Sequence, residues 1–273
     1  MSARLKDLIE AWGYRMADHF FAKWPQKKPP PAQLSACRIV AHRGEFDNCL
    51  VLENTFPAFD VAVAAGVWGI EFDIRWTSDL VPVICHDPDL TRIFGDPARI
   101  SELSFHDLRA RYPIVPSFTE MVDRYGGRSH LMIELKEEPY PNPAEQGRKL
   151  ADILRSLTPI KEFHLLSFDP DRFDQLNIGP PEVFIPIARL NSRDLSQRAI
   201  HSGYAGVGGH YLLVGNRHLA HCRCQGLKMA TGFVNSTNSL FREVNRRVDW
   251  LFSDSPVTMQ KNLDDLRTRA KTT

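Results

Sequence analysis

The chain has 273 residues, of which 34 are Lys or Arg and 33 are Asp or Glu, so its formal net charge is +1 at pH 7. This balance argues against a polybasic nucleic-acid binder, and the 43% hydrophobic content argues against an acidic disordered protein. The length suits one large α/β domain or two small ones, because barrels of alternating strands and helices run to roughly 250 residues.

The first 31 residues differ from the rest of the chain. Their apolar side chains recur at helical spacing and form one stripe: Leu5, Leu8, Ile9, Trp12, Met16, Phe20 and Trp24. Pro25 and the prolines at 29–31 end this amphipathic helix. The segment carries six basic and three acidic residues, a net charge of +3. We predict an N-terminal helix with a proline-rich link over residues 1–36, followed by one domain over residues 37–273.

From Cys37 onward, short apolar runs alternate with segments of helix length. Eight of these runs are predicted strands, at residues 38–42, 69–75, 130–136, 163–168, 184–190, 205–210, 228–233 and 250–253. Alternation of strands and helices predicts a parallel sheet. Eight such strands predict a closed (β/α)8 barrel of the TIM-barrel type.

Two locations are open to the N-terminal helix. Its stripe could lie on an anionic membrane surface, with aromatic side chains buried and lysines beside them. Packing on the domain is favoured over membrane contact, because a helix stripe is more often core than anchor. The short link to the first strand then predicts that the helix caps the N-terminal end of the barrel, opposite the catalytic face.

One apolar run, residues 81–86, follows the second predicted strand after only four residues. A parallel neighbour needs a connection of about a dozen residues, so this run must return antiparallel. With the four intervening residues as the turn, Trp76 pairs with Val81. The same register sets His86 opposite Glu71. The return therefore delivers His86 to the carboxyl end of the barrel, where active sites of such barrels lie.

Carboxylates are predicted at that same end. Glu71 and Asp73 are two residues apart on one strand, so their side chains share a face. Glu134 ends the next barrel strand and could supply a third oxygen. Inward-facing carboxylates repel each other and lose solvation, and Mg²⁺ or Ca²⁺ would relieve both costs. The alternative for the first two residues is an acidic pair exposed at the strand ends.

Two histidines and two fixed cations complete the predicted site. His42 ends the first strand, and His86 arrives on the antiparallel return. Imidazole exchanges protons near neutral pH, which suits a general acid/base pair. Arg43 and Lys136 lie beside them, and Arg can hold a phosphate through two parallel hydrogen bonds. These residue types predict hydrolysis of a phosphate ester, and a diester suits a pair of histidines.

Short motifs follow one another along the chain in a definite order. They are His42-Arg43-Gly44, Glu53-Asn54-Thr55, Gly69-Ile70-Glu71-Phe72-Asp73, His86-Asp87 and Ile133-Glu134-Leu135-Lys136, with weaker matches at Ser167-Phe168-Asp169, Val234-Asn235 and Ser253-Asp254-Ser255-Pro256. This ordered set resembles the glycerophosphodiester phosphodiesterase family over about residues 38–257. The resemblance implies a (β/α)8 barrel that hydrolyses glycerophosphodiesters to glycerol 3-phosphate and an alcohol.

The resemblance also implies roles for single residues. His42 and His86 match the family's catalytic pair, Glu71, Asp73 and Glu134 match its metal ligands, and Arg43 and Lys136 match its phosphate-contacting positions. Phe233 stands where the family often has Trp, which alters one wall of the substrate cleft and leaves the identity of the alcohol open. His210 and Tyr211 are further candidates for that wall.

Three functions are compatible with these residues. The leading one is a metal-dependent glycerophosphodiesterase that acts on a small-molecule substrate. A lysophospholipase D acting on membrane lipids is the second, and a non-catalytic barrel that binds phosphorylated ligands is the third. The paired histidines argue against the third, because binding alone needs no acid and base. A cytoplasmic location is expected, since no stretch of about 18 apolar residues and no signal peptide is evident.

The cysteines are odd in number and irregularly spaced: Cys37, Cys49, Cys85, Cys222 and Cys224. This usage is typical of reduced thiols in a cytoplasmic protein. His218 and His221 beside the last two invite a zinc hypothesis. Their spacing fits no standard zinc pattern, so a surface helix is favoured there.

Overall fold

The computed structural model describes residues 18–271. Its strands are β1 (Ile39–His42), β2 (Gly69–Trp76), β3 (Pro82–Ile84), β4 (His130–Leu135), β5 (Phe163–Ser167), β6 (Phe184–Ala188), β7 (Gly206–His210), β8 (Lys228–Gly232) and β9 (Trp250–Ser253). All except β3 are parallel, and β1 pairs with both β2 and β9, which closes the sheet. The predicted (β/α)8 barrel is confirmed.

Helices surround this barrel. They are α1 (residues 18–23 of the described chain), α2 (Pro31–Ala36), α3 (Phe56–Ala64), α4 (Thr91–Phe94), α5 (Phe105–Arg111), α6 (Phe118–Tyr125), α7 (Pro143–Leu154), α8 (Asp171–Leu176), α9 (Ser192–Ser202), α10 (Asn216–Cys224), α11 (Thr237–Asn245) and α12 (Pro256–Lys271). The surface helix expected around His218 and Cys224 is confirmed as α10. Within the described residues, no helix is both long and apolar enough to cross a membrane.

The barrel strands separate two apolar cores. Ile70, Phe72 and Ile74 of β2 point outward and pack beneath the helices, because successive side chains of a strand point to opposite faces. A second core fills the barrel interior with Val40, Met132, Leu166, Ile185, Ala230, Trp250 and Phe252. Polar residues replace apolar ones at the carboxyl ends of β1, β2 and β4, so the polar site lies directly above this apolar interior.

The antiparallel return of β3 is confirmed, but the predicted register is wrong by one residue. Trp76 pairs with Pro82 rather than with Val81. The connection between the two paired residues is therefore one residue longer than predicted, and the additional residue is Val81 on the β3 side. His86 consequently does not lie opposite Glu71.

A hydrogen-bonded turn explains the shift. The N–H of Thr77 donates to the Val81 carbonyl oxygen at 3.1 Å, and the Thr77 hydroxyl accepts from the Val81 N–H at 3.0 Å. Leu80 adopts a left-handed conformation with a φ of 57°. Thr77 thus pairs with Val81 across the turn, and the ladder starts one residue later than the sequence suggested.

Helix α1 lies at the carboxyl end of the barrel strands, so the prediction that it caps the opposite end is wrong for the described residues. The Phe21 ring meets the Tyr211 ring edge-on, with centroids 5.7 Å apart. The Asn238 side chain donates to the Ala22 carbonyl oxygen at 2.8 Å. Tyr211 follows β7 and Asn238 lies in the first turn of α11, and both positions are at the carboxyl ends of the strands.

The link after α1 explains this location. Asn245, at the end of α11, donates to the Lys27 carbonyl oxygen at 2.7 Å. The link therefore runs along α11 from the catalytic end to the opposite end, where α2 begins. An extended chain covers about 3.3 Å per residue, so even this short link spans the barrel. The apolar residues of the predicted stripe up to Met16 lie outside the described residues.

Candidate active site

A cleft of about 220 Å³ opens at the carboxyl end of the barrel. His42, Glu71 and Glu134 line one side of it. The other side is mainly apolar and is lined by Leu166, Phe168, Ile187, Ala188, Ala230, Phe233 and Phe252. The cleft thus has a charged half over β1, β2 and β4, and an apolar half over the remaining strands.

Three buried carboxylates converge in the charged half. Glu71, Asp73 and Glu134 each offer one oxygen, and these oxygens lie within 4.8 Å of one another. They come together because β2 pairs with β4 in a register that sets Asp73 beside Glu134. Among the residues that the structure describes, no other group of three acidic, histidine or cysteine side chains converges in this way. The predicted shared face of Glu71 and Asp73 is confirmed, and the exposed-pair alternative is wrong.

Two cations partly neutralise the three carboxylates. Lys136 Nζ lies 2.7 Å from both Asp73 Oδ1 and Glu134 Oε1, and Arg43 Nε lies 3.3 Å from Asp73 Oδ2. Burial opposes ionisation of Asp73, but these cations hold its pKa well below the usual value. Burial, and then the negative charge of Asp73, raises the pKa of Glu71 to about 8. With all three carboxylates ionised, the cluster would carry one more negative charge than Lys136 and Arg43 neutralise.

The donor set fits a hard divalent cation. Carboxylate oxygens are the ligands that Mg²⁺ and Ca²⁺ prefer. A bound cation would relieve the burial cost and the repulsion that raise the pKa of Glu71. Glu71, Asp73 and Glu134 are the residues that would hold it, as the sequence predicted.

His42 is held by a carboxylate outside the acidic cluster. Its Nδ1 lies 2.6 Å from Asp254 Oδ1, and Asn235 donates to the other Asp254 oxygen at 3.1 Å. The second ring nitrogen, Nε2, lies 3.9 Å from Glu71 Oε2. Burial lowers the pKa of His42, but the two neighbouring carboxylates outweigh burial and hold that pKa above its usual value.

His86 reaches the site through the segment after β3. Its Nδ1 lies 2.8 Å from Asp87 Oδ1. Its carbonyl oxygen accepts two hydrogen bonds from the Arg75 guanidinium, at 3.0 and 2.7 Å, and Arg75 pairs with Glu138 at 2.7 Å. Burial and the charge of Lys136 lower the pKa of His86. Arg75 therefore places His86, in spite of the shifted strand register.

The loop after β1 folds closely over the acidic cluster. Gly44 has a φ of +90°, and a Cβ there would lie 2.6 Å from the Ala58 Cβ, so glycine is required. Asn54 donates to Asp73 Oδ2 at 2.8 Å. This loop thereby fixes one oxygen of the central carboxylate.

Comparison with known proteins agrees with this geometry. The model of the glycerophosphoryl diester phosphodiesterase family matches residues 42–258. The chain belongs to this family. The resemblance that the ordered motifs indicated is thereby confirmed.

Individual relatives match different shares of the chain. Glycerophosphodiester phosphodiesterase 1 of Rattus norvegicus is 38% identical over 74 residues, which are 27% of this chain and 22% of that protein. A lysophospholipase D of Homo sapiens is 32% identical over 132 residues, 48% of this chain and 39% of that protein. The structure of an Oleispira antarctica phosphodiesterase in complex with the product sn-glycerol-3-phosphate has a TM-score of 0.71 at 21% identity, covering 83% of this chain and 96% of that one.

The wall predicted for the cleft of this family member is partly present. His210 and Phe233 line the cleft, and the Phe233 ring meets the His42 ring edge-on at 5.1 Å. Tyr211 has no exposed surface and lies beneath Phe21, so its assignment to the wall is wrong. The reason is strand alternation, since His210 points into the barrel and the next residue points away from it.

Several site residues lie in the family motifs but receive no role from the sequence. Asp254 holds His42, and Asn54 holds Asp73, as described above. Glu53 is buried and pairs with Arg43 at 3.1 Å and with Arg92 at 2.6 Å. Burial alone would raise the pKa of Glu53, but Arg92 and the other donors outweigh burial and lower that pKa to about 2. The motif spacing signals these positions, whereas their partners become evident only in the closed barrel.

Proposed function

We propose that the protein hydrolyses glycerophosphodiesters to glycerol 3-phosphate and an alcohol, with a divalent metal ion held by Glu71, Asp73 and Glu134. The observation that carries this proposal is the convergence of three buried carboxylates beside two histidines that are each held by an aspartate. Family membership supports the reaction class. The complex of the Oleispira antarctica phosphodiesterase with sn-glycerol-3-phosphate supports the product. A cytoplasmic location and a domain boundary after residue 36 stay predictions.

The proposed mechanism divides proton transfer between the histidines. One takes the proton of the attacking oxygen and the other protonates the leaving alcohol. Asp254 fixes Nδ1 of His42, and the remaining nitrogen is then directed toward the cleft. Asp87 likewise binds Nδ1 of His86. This arrangement orients both rings before substrate arrives, which removes part of the ordering cost from the reaction.

The cations and the metal act on the phosphate. Arg43 and Lys136 lie against the acidic cluster, where they can also contact the oxygens of a bound diester. A bound divalent ion would supply further positive charge to the phosphate oxygens. The Lys136 ammonium bridges two of the proposed ligands, which keeps it next to the reacting group.

A lysophospholipase D activity is a second candidate, and the apolar half of the cleft favours it. Phe168, Ile187 and Phe252 offer no hydrogen bonds to a small polar alcohol, but they fit an acyl chain. The match to the human lysophospholipase D supports this candidate. Both candidates use the same charged half of the cleft.

One assay series tests the metal and the histidines. Glycerophosphocholine, glycerophosphoethanolamine and a lysophospholipid are offered with Mg²⁺, with Ca²⁺ and after chelation. We expect hydrolysis of at least one substrate, loss of it on chelation, and a loss of about 10²–10⁴ in kcat for His86→Ala. His106→Ala, at a side chain that is 92% exposed, is the control. Full turnover after exhaustive chelation contradicts the metal, and absence of all hydrolysis contradicts the reaction.

A further inference from the structure

Helix α1 divides its aromatic residues between the barrel and the solvent. Phe21 faces inward, where it packs on Tyr211 and lies 5.0 Å from the Arg242 guanidinium. Phe20 and Trp24 face outward, and each is 54% exposed. Their rings contact each other, with centroids 5.3 Å apart. Two adjoining exposed aromatic rings are costly in water, and such a patch typically marks an interaction surface.

The exposed aromatic pair belongs to a larger apolar rim. Leu50, Leu190 and Leu212 are also exposed, and they follow the carboxyl ends of β1, β6 and β7. We call these five residues the apolar rim. The described chain exposes eight large apolar side chains, and the rim accounts for five of them. Exposed apolar surface is therefore concentrated on the face that holds the cleft.

Positive charge accompanies the rim. Lys23, next to Trp24, is exposed, whereas the exposed Lys27 and Lys28 lie farther along the link, near the end of α11. The only acidic residue between positions 18 and 30 is Asp18, and it turns inward, with Oδ1 3.7 Å from His210 Nε2. The outer surface of α1 is thus aromatic and carries the Lys23 ammonium, a combination that binds the interface of anionic bilayers.

The cleft and helix α1 adjoin each other at the end of β7. His210 lines the cleft, Tyr211 follows it in sequence, and Phe21 covers Tyr211 on the outside. A chain leaving the cleft over β7 passes from Ile187 and Phe233 toward Tyr211 and α1. The Asp18 carboxylate, 3.7 Å from His210 Nε2, and the Arg242 guanidinium, beside Phe21 and Tyr211, also lie along this path.

From these observations we propose that the protein docks on anionic lipid bilayers through the apolar rim, with Phe20 and Trp24 as its anchors. Docking in this orientation brings the cleft mouth to the level of the lipid headgroups. The substrate class that fits is a membrane phosphodiester lipid with one acyl chain. The substrate part of this inference rests on the proposed phosphodiesterase function, whereas the docking itself does not.

Vesicle sedimentation of the full chain tests the docking. The probes are vesicles of phosphatidylcholine with and without phosphatidylglycerol. We expect binding to the anionic vesicles that weakens as salt is raised and that falls at least about tenfold in a Phe20→Ser/Trp24→Ser double variant. Val61→Ser on α3, at a side chain that is 45% exposed, is the matched control and should bind normally. A Lys23→Gln variant should weaken the salt dependence.

Two results overturn the docking: no binding of the intact protein to anionic vesicles, or equal binding by the double variant. A dimer that the double variant abolishes, without vesicle binding, would assign the rim to a second copy of the chain. Hydrolysis assays test the proposed substrate class separately from the docking. We expect the double variant to hydrolyse soluble glycerophosphocholine normally but a vesicle-embedded lysophospholipid at least about tenfold more slowly. If no phosphodiester is cleaved by the intact protein, the proposed function fails while the sedimentation result still decides the docking.

Discussion

The carboxylate of Asp254 decides which nitrogen of His42 faces the cleft. Because Asp254 accepts a hydrogen bond from Nδ1–H, at a distance of 2.6 Å, Nε2 is the nitrogen left for the proposed proton transfer. This pairing crosses from β1 to the end of β9, and more than 200 residues separate the two partners in sequence. The Ser253-Asp254-Ser255-Pro256 motif marked the position. Only the closure of the barrel between β1 and β9 gave it a role.

We expect Asp254→Asn to lower kcat by about 10²-fold, because the amide no longer favours the productive tautomer of His42. The carboxylate also holds the pKa of His42 above its usual value. Its loss should therefore move the pH–rate limb that reports His42 to lower pH. Steady-state kinetics across pH checks both effects. Asp264→Asn, at a side chain that is 51% exposed on α12, is the control, and an unchanged limb in Asp254→Asn would contradict the positioning role.

At the scale of elements, the short hairpin shows what sequence reasoning could and could not supply. The short connection required an antiparallel return, and that prediction is confirmed. The register failed because the hydroxyl of Thr77 and the left-handed Leu80 form a turn that no apolar pattern encodes. His86 still reaches the site, because the Arg75 guanidinium binds its carbonyl oxygen. Arg75, held by Glu138, therefore positions His86, whereas the predicted register had assigned this positioning to the strand pairing.

Removing Glu138 should consequently affect both stability and catalysis. Its ion pair with Arg75 is nearly buried, with side chains that are 12% and 9% exposed. Loss of one partner from such a pair costs about 3 kcal/mol of unfolding free energy, and we expect this for Glu138→Ala, with a lower kcat as His86 loses its support. Urea denaturation and steady-state kinetics are the measurements. Glu102 forms an exposed ion pair with Arg99, so Glu102→Ala is the control and should change the unfolding free energy by less than about 0.5 kcal/mol. Equal changes in the two variants would contradict the supporting role of Glu138.

At the scale of the whole molecule, the barrel followed from eight strand–helix alternations, whereas the location of α1 did not. The apolar stripe that includes Phe20 and Trp24 predicts that the helix packs on another surface. It does not specify at which end of the barrel the helix packs. The contacts of Phe21 with Tyr211 and of Asn238 with Ala22 depend on how the loops after β7 and β8 fold. The same contacts leave the rings of Phe20 and Trp24 exposed at the apolar rim.

The lower end of the barrel interior contains a pair of histidines that should make stability depend on pH. His130 Nε2 lies 2.7 Å from His164 Nδ1, and the His130 ring stacks on Trp68 with centroids 4.2 Å apart. Burial lowers the pKa of His130 to about 4. Burial, and then the charge of His130, lowers the pKa of His164 to about 3. Both side chains are therefore neutral in the folded protein at neutral pH.

The sign of the pH effect follows from these lowered pKa values. The unfolded chain binds protons at these histidines below about pH 6.5, whereas the folded protein does not bind them until about pH 4. Their contribution is thus complete well above pH 6.5 and decreases as the pH falls, by about 3 kcal/mol of unfolding free energy for each histidine at pH 4. Urea titrations between these pH values measure it. His164→Gln, which cannot titrate, should reduce the slope relative to the intact protein, whereas His106→Gln at the surface should not. Parallel pH profiles of the intact protein and His164→Gln would show that the buried pair does not control the acid sensitivity of the barrel.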